Sequence, residues 1–429
     1  MVRSRGRLLA IGLVAAFTLV AASCSNDPET ESSEPSDEGS DQFADLEPVA
    51  APDPCENDPG VTDDTIKVGA LIPTTGSQAQ SFARAEDGIR ARLEKASADG
   101  ELGDREIELV VVDTAADPAQ NLTAAQQLVE QEDVFGILEV DSAADGSAEY
   151  LFDEGIPVTG WHVGRPSFGT YPNLFSFNSF SPDEGVTSTT QAEFIRENGG
   201  TKVAIVAGGN ASSVAFAENA TNVLESRDDV EVVYRTIDVP YGSTEFTGEV
   251  EQIRESGADT VVTGMDFLSN AALNEQLQQA GVDVPLVLFP GGYDPLVLDL
   301  PGVENSYFGV EFKPLELDLP VHQDFVEYMG DRPVGQVPLV GWLTADMFVE
   351  GLEQAGIECP TREAFITNLR LVDDYEADGL LGPPVDFSEH FGKPGTCIYY
   401  VQVKNGEFVP QFDGEPLCGE VFDANSEGA

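Results

Sequence analysis

The sequence predicts an α/β fold made of two doubly wound parallel-sheet lobes. From Thr65 onward, short apolar runs alternate with helical patterns of about 10–15 residues, which is typical of βαβ units and parallel sheets. One strand–helix–strand unit occurs at residues 134–161 and a similar one at residues 259–289. The chain has 429 residues, and a folded part of roughly 300 residues or more exceeds what one hydrophobic core usually holds.

The first part of the alternation begins directly after Thr65. Residues Ser81–Ala98 carry apolar side chains at helical spacing, which predicts an amphipathic helix. Asp117-Pro118 predicts a helix that begins with an Asp N-cap and a proline at the first helical position, and it continues to about Gln131. The strands predicted in this part are Ile66–Ile72, Ile107–Val112, Val134–Val140 and Ile156–Thr159.

The second part of the chain repeats the alternation of strands and helices, and two further helices and a hairpin follow it. Its predicted strands are Lys202–Ala207, Val230–Tyr234, Thr260–Thr263 and Pro285–Phe289. Residues 342–357 predict an amphipathic helix, and Pro360-Thr361 begins another one that reaches Leu369. Asn405-Gly406 separates two strand-like runs, which is a strong signal for a β-hairpin.

The composition excludes several classes of function. Asp and Glu number 77 against 21 Lys and Arg, so the formal net charge is −56. A protein that binds nucleic acid needs a basic patch, so no nucleic-acid partner is expected. The chain has only 3 His and 4 Met, which disfavours a His-rich metal site or a haem protein. We therefore expect no metal and no cofactor, and we attribute the acidity to solvation of a folded surface.

The N-terminus is typical of an exported lipoprotein. Arg3, Arg5 and Arg7 precede an apolar run over Leu8–Ala22, which is typical of a signal peptide at residues 1–23 and too short to span a membrane. The run ends in small residues followed by Cys24, which resembles the bacterial lipobox in which the cysteine is acylated. Residues 25–54 contain ten acidic residues and no Lys or Arg, so residues 24–54 are predicted to form a lipidated, disordered tether.

The cysteines that remain after Cys24 are even in number. Cys55, Cys359, Cys397 and Cys418 predict two disulfides in an exported chain, and spacing alone leaves three connectivities open. Their spacing does not match a zinc site.

Motifs for catalysis are absent from the sequence. It has no GxSxG, HExxH, Walker or GxGxxG motif, so we expect no enzymatic activity. Ligands of open parallel sheets bind beyond the carboxyl ends of the strands, and the corresponding loops here are rich in glycine, hydroxyl groups and aromatic rings. The candidate ligand-binding residues in these loops are Thr75, Gln78, Ser142, Ala143, Trp161, His162, Asn210, Ser212, Asp266, Phe267, Gly292 and Tyr293.

Each candidate also has a structural interpretation. Asn210, Ser142 and Ser212 are of residue types that commonly cap helices and form turns. Trp161 is equally well explained as a core residue, and His162 as a surface or capping residue.

Several segments together resemble the branched-chain amino acid type of periplasmic binding protein. They include Ile66-Lys67-Val68-Gly69, Pro73-Thr74-Thr75-Gly76, Gln126-Gln127-Leu128-Val129, Gly155-Ile156-Pro157-Val158 and Pro172–Phe177. The resemblance covers residues 65–405 and is carried by the order and spacing of these segments. It implies a type I fold with two lobes joined by a hinge of three crossovers, which enclose the ligand between them.

The resemblance also implies boundaries and partners. The first lobe would hold residues 55–180 and 309–383, and the second residues 181–308 and 384–429. Pairing within lobes would join Cys55 to Cys359 and Cys397 to Cys418. The protein would be a monomer that delivers a small molecule, such as an amino acid or amide, to an ABC permease and its ATPase. Its only attachment to the membrane would be the lipid on Cys24, at the outer face of the cytoplasmic membrane.

The sequence departs from the amino-acid binders of that family. Their carboxylate-binding Ser corresponds to Ser142, but their Ala-Thr pair is replaced by Trp161-His162. Their cleft Tyr falls at about Ser212, and their acid that holds the ammonium falls at about Gly291, for which Asp266 or Asp294 could substitute. A bulkier or flatter ligand than leucine is therefore expected. Two alternatives remain open, a lipoprotein that senses a ligand for a membrane receptor and an extracellular hydrolase.

Overall fold

The computed structural model describes residues 42–76, 78–161, 163 and 167–426. The predicted signal peptide and the predicted lipidation site Cys24 lie outside these residues. Within the described ranges, no helix is both long enough and apolar enough to cross a membrane. The same ranges contain no group of three or more His, Cys, Asp or Glu side chains that could hold a metal ion.

The first lobe is built on a parallel sheet. Its strands are β1 (Thr65–Ile72), β2 (Glu106–Asp113), β3 (Gly136–Glu139), β4 (Val158–Gly160) and β5 (Leu174–Ser176). They lie in the order β2-β1-β3-β4-β5, and every neighbouring pair is parallel. Val68, Ala70 and Leu71 of β1 are fully buried, because helices cover both faces of a doubly wound sheet.

Short and long helices connect these strands. They are α1 (Ala79–Phe82), α2 (Ala85–Asp99), α3 (Pro118–Glu130), α4 (Ala148–Asp153) and α5 (Ser167–Thr170). Helix α3 begins as the sequence predicts, because the Asp117 carboxylate accepts hydrogen bonds from the backbone N–H groups of Ala119 and Gln120, both at 3.0 Å. Pro118 occupies the first helical position, where no N–H is needed.

The second lobe contains a larger sheet. The strands that follow β5 are β6 (Val186–Ser188), β7 (Lys202–Gly208), β8 (Glu231–Val239), β9 (Thr260–Gly264), β10 (Leu286–Phe289), β11 (Tyr307–Val310), β12 (Cys397–Lys404), β13 (Glu407–Pro410), β14 (Leu417–Cys418) and β15 (Val421–Asp423). The order is β13-β12-β11-β10-β9-β7-β8, with β14 beside β12, while β6 and β15 form a separate antiparallel ribbon.

The two sheets repeat one topology. Strands β7–β11 are parallel and follow the order second, first, third, fourth and fifth, as β1–β5 do in the first lobe. This repeat confirms the prediction of two similar α/β lobes. The second sheet is mixed and not purely parallel, because the hairpin predicted at Asn405-Gly406 adds antiparallel β12 and β13 to its edge.

The remaining helices are divided between the lobes. They are α6 (Thr190–Glu197), α7 (Ala211–Glu225), α8 (Thr247–Ser256), α9 (Phe267–Gln279), α10 (Pro320–Met329), α11 (Gln336–Ala355) and α12 (Arg362–Arg370). Helices α6–α9 belong to the second lobe, whereas α10 and α11 pack on α2 of the first. Trp342 of α11 is 1% exposed and packs edge-to-face on Phe325 of α10, with ring centroids 5.5 Å apart.

The chain passes between the two sheets three times, after β5, after β11 and after α12. Strand β11 extends to Val310, so the second passage begins after residue 310 and not at the predicted boundary of 308/309. Phe387 packs edge-to-face on Phe175 of β5, which keeps residues just beyond the predicted boundary at 383 with the first lobe. The first difference arises because β11 pairs with β10 and β12 of the second sheet, and the second because Phe387 packs on Phe175 of the first.

Two disulfides join the cysteines in the pairs that the family resemblance implies. Cys55 is bonded to Cys359 across 304 residues of sequence, and Cys397 is bonded to Cys418 within the edge of the second sheet. The first bond attaches the start of the folded chain to the loop before α12.

The last part of the predicted tether differs from a disordered spacer. Phe43 is 8% exposed, and its ring packs edge-to-face on Phe391 at 5.3 Å. The amide side chain of Asn368 exchanges hydrogen bonds with the backbone of Val49, at 2.8 and 2.9 Å. An apolar ring and two backbone hydrogen bonds therefore hold residues 43–49 against the first lobe, and the prediction of disorder is wrong for this segment.

Candidate functional site

The candidate site lies where the strand order of each sheet reverses. In the first sheet β1 and β3 are neighbours whose connections leave in opposite directions, and β7 and β9 are the equivalent pair in the second sheet. Ligands of doubly wound sheets bind in the crevice beyond the carboxyl ends of such strands. The loops after these four strands are residues 73–78, 140–143, 209–210 and 265–266. Most of the predicted residues lie in these loops or, as Ser212 and Phe267 do, in the first turn of the helix that follows, and the others follow β4 and β10.

Two predicted residues of the first lobe are brought together. The hydroxyl of Ser142, in the loop after β3, donates a hydrogen bond of 2.9 Å to Oε1 of Gln78, which ends the loop after β1. Ala143 is buried, and its N–H donates to Asp141 Oδ1 at 2.9 Å. A solute beside Ser142 would therefore meet a hydroxyl and a side-chain amide.

Thr75 has a structural role in the same loop. Its hydroxyl and its backbone N–H both donate to the carboxylate of Asp113, at the end of β2. Desolvation acts to raise the pKa of Asp113, but the hydrogen bonds from Thr75, Ala115 and Thr74 lower it to about 2. The ionised carboxylate thus fixes the shape of the loop after β1.

Trp161 forms an aromatic wall beside these residues. The indole is half-buried, and its ring centroid lies 6.1 Å from that of Phe82 at the end of α1. Its Nε1 atom is buried and has no hydrogen-bond partner in the described part of the chain. His162, the predicted neighbour, lies outside the described residues.

Two predicted residues of the second lobe cap helices. Asn210 Oδ1 accepts a hydrogen bond of 3.0 Å from the Ser213 N–H at the start of α7. Asp266 accepts from the N–H and the hydroxyl of Ser269 at the start of α9, and from the N–H of Gly242 at 2.9 Å. Because these oxygens are already bonded, the structural interpretation accounts for both residues.

The loop after β10 corrects one prediction. Tyr293 is 2% exposed, and its hydroxyl donates to Glu316 Oε2 at 2.6 Å and accepts from the Leu315 N–H at 2.8 Å. Burial, followed by the nearby Glu316 carboxylate, raises the pKa of Tyr293. The ring packs on Phe408 of β13, so Tyr293 supports the second passage between the lobes and does not line the cleft.

Gly292 is required by the backbone at this point. Its φ is +100°, and a Cβ atom there would lie 2.9 Å from the Cβ of Phe267. The N–H groups of Gly292 and Tyr293 both donate to Oε1 of Gln336, at 3.0 and 3.1 Å. Gln336 begins α11 of the first lobe, so it holds this loop of the second lobe from across the interface.

The lobes touch each other at several further points. Nη1 of Arg84, in the first lobe, lies 2.8 Å from Oδ2 of Asp294, in the second lobe. The hydroxyls of Ser81 and Tyr241 lie 2.8 Å apart. The Ser212 hydroxyl donates to the carbonyl of Val163 at 3.4 Å. These contacts describe a closed arrangement of the two lobes.

Local sequence patterns do not identify Arg84, Tyr241 and Gln336 as interface residues. Arg84 and Asp294 are 210 positions apart in the chain, and neither lies in a motif. A weak signal exists for Asp294, which follows two glycines in a loop at a carboxyl strand end. The buried acids beneath the site, Glu139 and Asp141, share the Nδ2 group of Asn121 at 2.9 and 3.0 Å.

Comparison with known proteins shows which family and fold the chain matches. The model of a family described as periplasmic binding protein matches residues 65–407. The Leu/Ile/Val-binding protein homolog 2 of Brucella abortus (strain 2308) is 25% identical over 203 residues, which cover 46% of this chain and 53% of the relative. The alignment thus spans about half the length of that relative.

Solved structures share the fold at lower identity. The fatty acid ABC transporter substrate-binding protein from Thermomonospora curvata superposes with a TM-score of 0.71 at 19% identity and covers 87% of this chain and 97% of its own. A solute-binding protein of an ABC transporter from R. palustris, in complex with benzoate, gives a TM-score of 0.66 at 18% identity over 85% and 99% of the two chains.

Proposed function

The chain belongs to the periplasmic binding protein family, and we propose from this premise that it captures a small organic solute between its two lobes for an ABC permease. One observation carries the proposal. Each lobe has an equivalent point at which its strand order reverses, and the two points face each other across contacts between the lobes. A solute that touches both lobes stabilises the closed form relative to an open one.

The similar proteins bind chemically different solutes. The names of the relatives refer to leucine, isoleucine and valine in one case and to a fatty acid in another, and one neighbour is in complex with benzoate. The solute of this chain therefore has to be found from its own residues. We propose Ser142, Gln78, Ala143 and Trp161 for the first lobe, and Ser212 and Phe267 for the second.

The location of the protein is part of the same proposal. The Arg-rich start, the apolar run and Cys24 support export followed by acylation, with the acidic residues after Cys24 as the spacer to the membrane. Residues 43–49, which pack on the first lobe, shorten this spacer at its folded end. We propose that the protein acts as a monomer on the outer face of the cytoplasmic membrane and delivers solute to a permease and its ATPase.

A thermal-shift panel tests the capture of a solute. Purified protein would be heated with amino acids, amides, short-chain fatty acids and aromatic acids in turn. A compound present at about one hundred times its Kd should add about 2.7 kcal/mol to the free energy of unfolding. The proposal predicts a rise in Tm with at least one chemical class and none with nucleotides. A flat response to every class would contradict the capture of such solutes.

A further inference from the structure

An amino acid in a closed cleft needs a partner for its ammonium group, and a carboxylate is the strongest one. An ammonium that leaves water without an opposite charge carries a large desolvation penalty. The acids of the candidate site can be checked one by one, because each lies in a loop at a carboxyl strand end. This inference rests on the proposed function and concerns which class of solute the site accepts.

The acids of the second lobe already have partners. Asp266 uses both oxygens, since Oδ1 accepts from the Ser269 N–H at 3.1 Å and Oδ2 accepts from the Ser269 hydroxyl and from the Gly242 N–H. Asp294 is paired with the Arg84 guanidinium at 2.8 Å, and its other oxygen accepts from the Leu296 N–H at 2.9 Å. Asp294 is thus neutralised by Arg84, and Asp266, although still charged, already accepts three hydrogen bonds from groups of the protein.

The acids in the first-lobe loops are either buried or bonded within the protein, as Asp145 is to the Ser167 N–H at 3.3 Å. Glu139 and Asp141 are 0% and 1% exposed. Desolvation raises the pKa of Glu139 well above its ordinary value and also raises that of Asp141. Asp113 is bonded to its own loop, and Asp117 caps α3. Ser77, His162 and residues 164–166, which lie outside the described ranges, include no Asp or Glu in the sequence.

Two exposed acids, Asp238 and Glu245, lie near the candidate site but not at the point where the strand order reverses. Asp238 is the penultimate residue of β8, the edge strand of its sheet, and Glu245 follows in the next loop. Asp238 Oδ1 accepts a hydrogen bond from the Thr236 hydroxyl at 2.8 Å. Water surrounds both side chains, so they are poor partners for a desolvated ammonium.

The groups that remain at the site are hydrogen-bond donors and rings. Nε of Arg84 and Nε1 of Trp161 are buried donors without partners in the described chain. Arg84 follows Phe82 by two residues in sequence, and the Trp161 ring packs on the Phe82 ring. The Ser142 hydroxyl donates to Gln78 Oε1 at 2.9 Å and can turn to a ligand acceptor in exchange for that bond. Phe82, Trp161 and Phe267 supply apolar surface. N–H and O–H donors beside aromatic walls suit an anionic acceptor attached to an apolar body.

We infer that the site takes a carboxylic acid with an acyl or aryl body and discriminates against the corresponding α-amino acid. The α-ammonium would have no carboxylate partner in the closed form, while the carboxylate and the apolar body would retain theirs. The specificity thus follows because Asp266 and Asp294 are each bonded to other groups of the protein.

Matched solutes that differ only at the α-ammonium test this inference. Isothermal titration calorimetry of the purified protein would compare 4-methylpentanoate with leucine and 3-phenylpropanoate with phenylalanine. In each pair of which a member binds, the acid should bind at least about tenfold more tightly than the amino acid, which corresponds to about 1.4 kcal/mol. An amino acid that binds as tightly as its acid, or tighter, would overturn the inference and leave the capture of solutes intact. Binding by no member of either pair would also overturn it, while a response elsewhere in the thermal-shift panel would preserve the proposed function.

Two variants separate direct recognition from general effects on folding. Ser142→Ala should weaken binding of the acid about tenfold because one hydrogen bond to a charged group is lost, while Tm without ligand falls only slightly, through loss of the part-buried bond to Gln78. Asp238→Asn should leave binding of all four solutes unchanged. A loss of amino-acid binding in Asp238→Asn would show that this exposed carboxylate holds the ammonium, which contradicts the inference.

Discussion

Replacement of Gly88 by Ala should lower the free energy of unfolding by about 3 kcal/mol or more. Helices α2 and α11 cross at Gly88 and Gly341 with their backbones in contact. A Cβ atom on Gly88 would lie 1.6 Å from the carbonyl oxygen of Pro338, and one on Gly341 would lie 2.0 Å from that of Ala85. Backbone atoms cannot rotate away as a side chain can, so the helices must separate and lose buried contact.

A glycine in open space supplies the matched control. Gly248 lies in the first turn of α8, and a Cβ atom there would meet no atom within 4 Å. Gly248→Ala should therefore keep or raise stability, by up to about 1 kcal/mol, because alanine restricts the unfolded chain. Urea unfolding followed by circular dichroism would measure both variants. Equal stability of the two variants would show that α2 and α11 do not cross at these glycines.

Replacement of Arg370 by Met should cost about 3 kcal/mol of stability and loosen the hinge. Arg370 ends α12 and is 3% exposed. Its guanidinium donates to the carbonyl groups of Phe387, Pro172 and Leu174, which precede two of the three passages between the lobes. Loss of a charged donor leaves these buried carbonyls unsatisfied, at about 1–3 kcal/mol each, partly offset by the removal of a buried charge.

Aromatic rings surround this guanidinium in place of a carboxylate. The centroids of Phe175, Phe391 and Phe43 lie 4.2, 4.7 and 5.2 Å from Arg370 Cζ, which favours a cation over an uncharged group. Burial lowers the pKa of Arg370 to about 9, so the side chain remains charged at neutral pH. Phe43, from the N-terminal segment, thus covers the cation that ties the hinge to the first lobe.

An exposed arginine is the control for Arg370. Arg90 forms an i,i+4 ion pair with Glu86 on the surface of α2, and its loss should change stability by no more than about 0.5 kcal/mol. Chemical denaturation of Arg370→Met and Arg90→Met gives the two values. Hydrogen exchange of residues 170–176 and 385–392 should accelerate in the first variant alone; unchanged exchange there would remove Arg370 from its role at the hinge.

Much of the fold follows from short-range patterns in the sequence. Alternating apolar runs give the strands of both sheets, Asp117-Pro118 gives the start of α3, and Asn405-Gly406 gives the hairpin, because each depends on neighbours within a few residues. Phe43 is the exception, since an acidic, proline-rich composition gives no sign that one ring finds a site beside Arg370.

The candidate site is harder to predict from short-range patterns in the sequence. The loops after β1, β3, β7 and β9 follow from the strand pattern, and the structure brings Ser142 and Gln78 together. Tyr293 and Arg84 depend on contacts that join distant parts of the chain. The Tyr293 hydroxyl is bonded to Glu316, and Arg84 is bonded to Asp294, 210 residues away. Pairing over such distances leaves no local periodicity in the sequence.

Small-angle X-ray scattering of the protein with and without solute tests the central claim most directly. The solute would be the compound that gives the largest thermal shift. Without it, the radius of gyration should exceed that of the closed arrangement described by the Arg84–Asp294 and Ser212–Val163 contacts, and saturation should reduce it to that value. Asp294→Asn, which removes an ion pair between the lobes, should require more solute for the same change. Identical scattering in both states at saturation would contradict capture by closure.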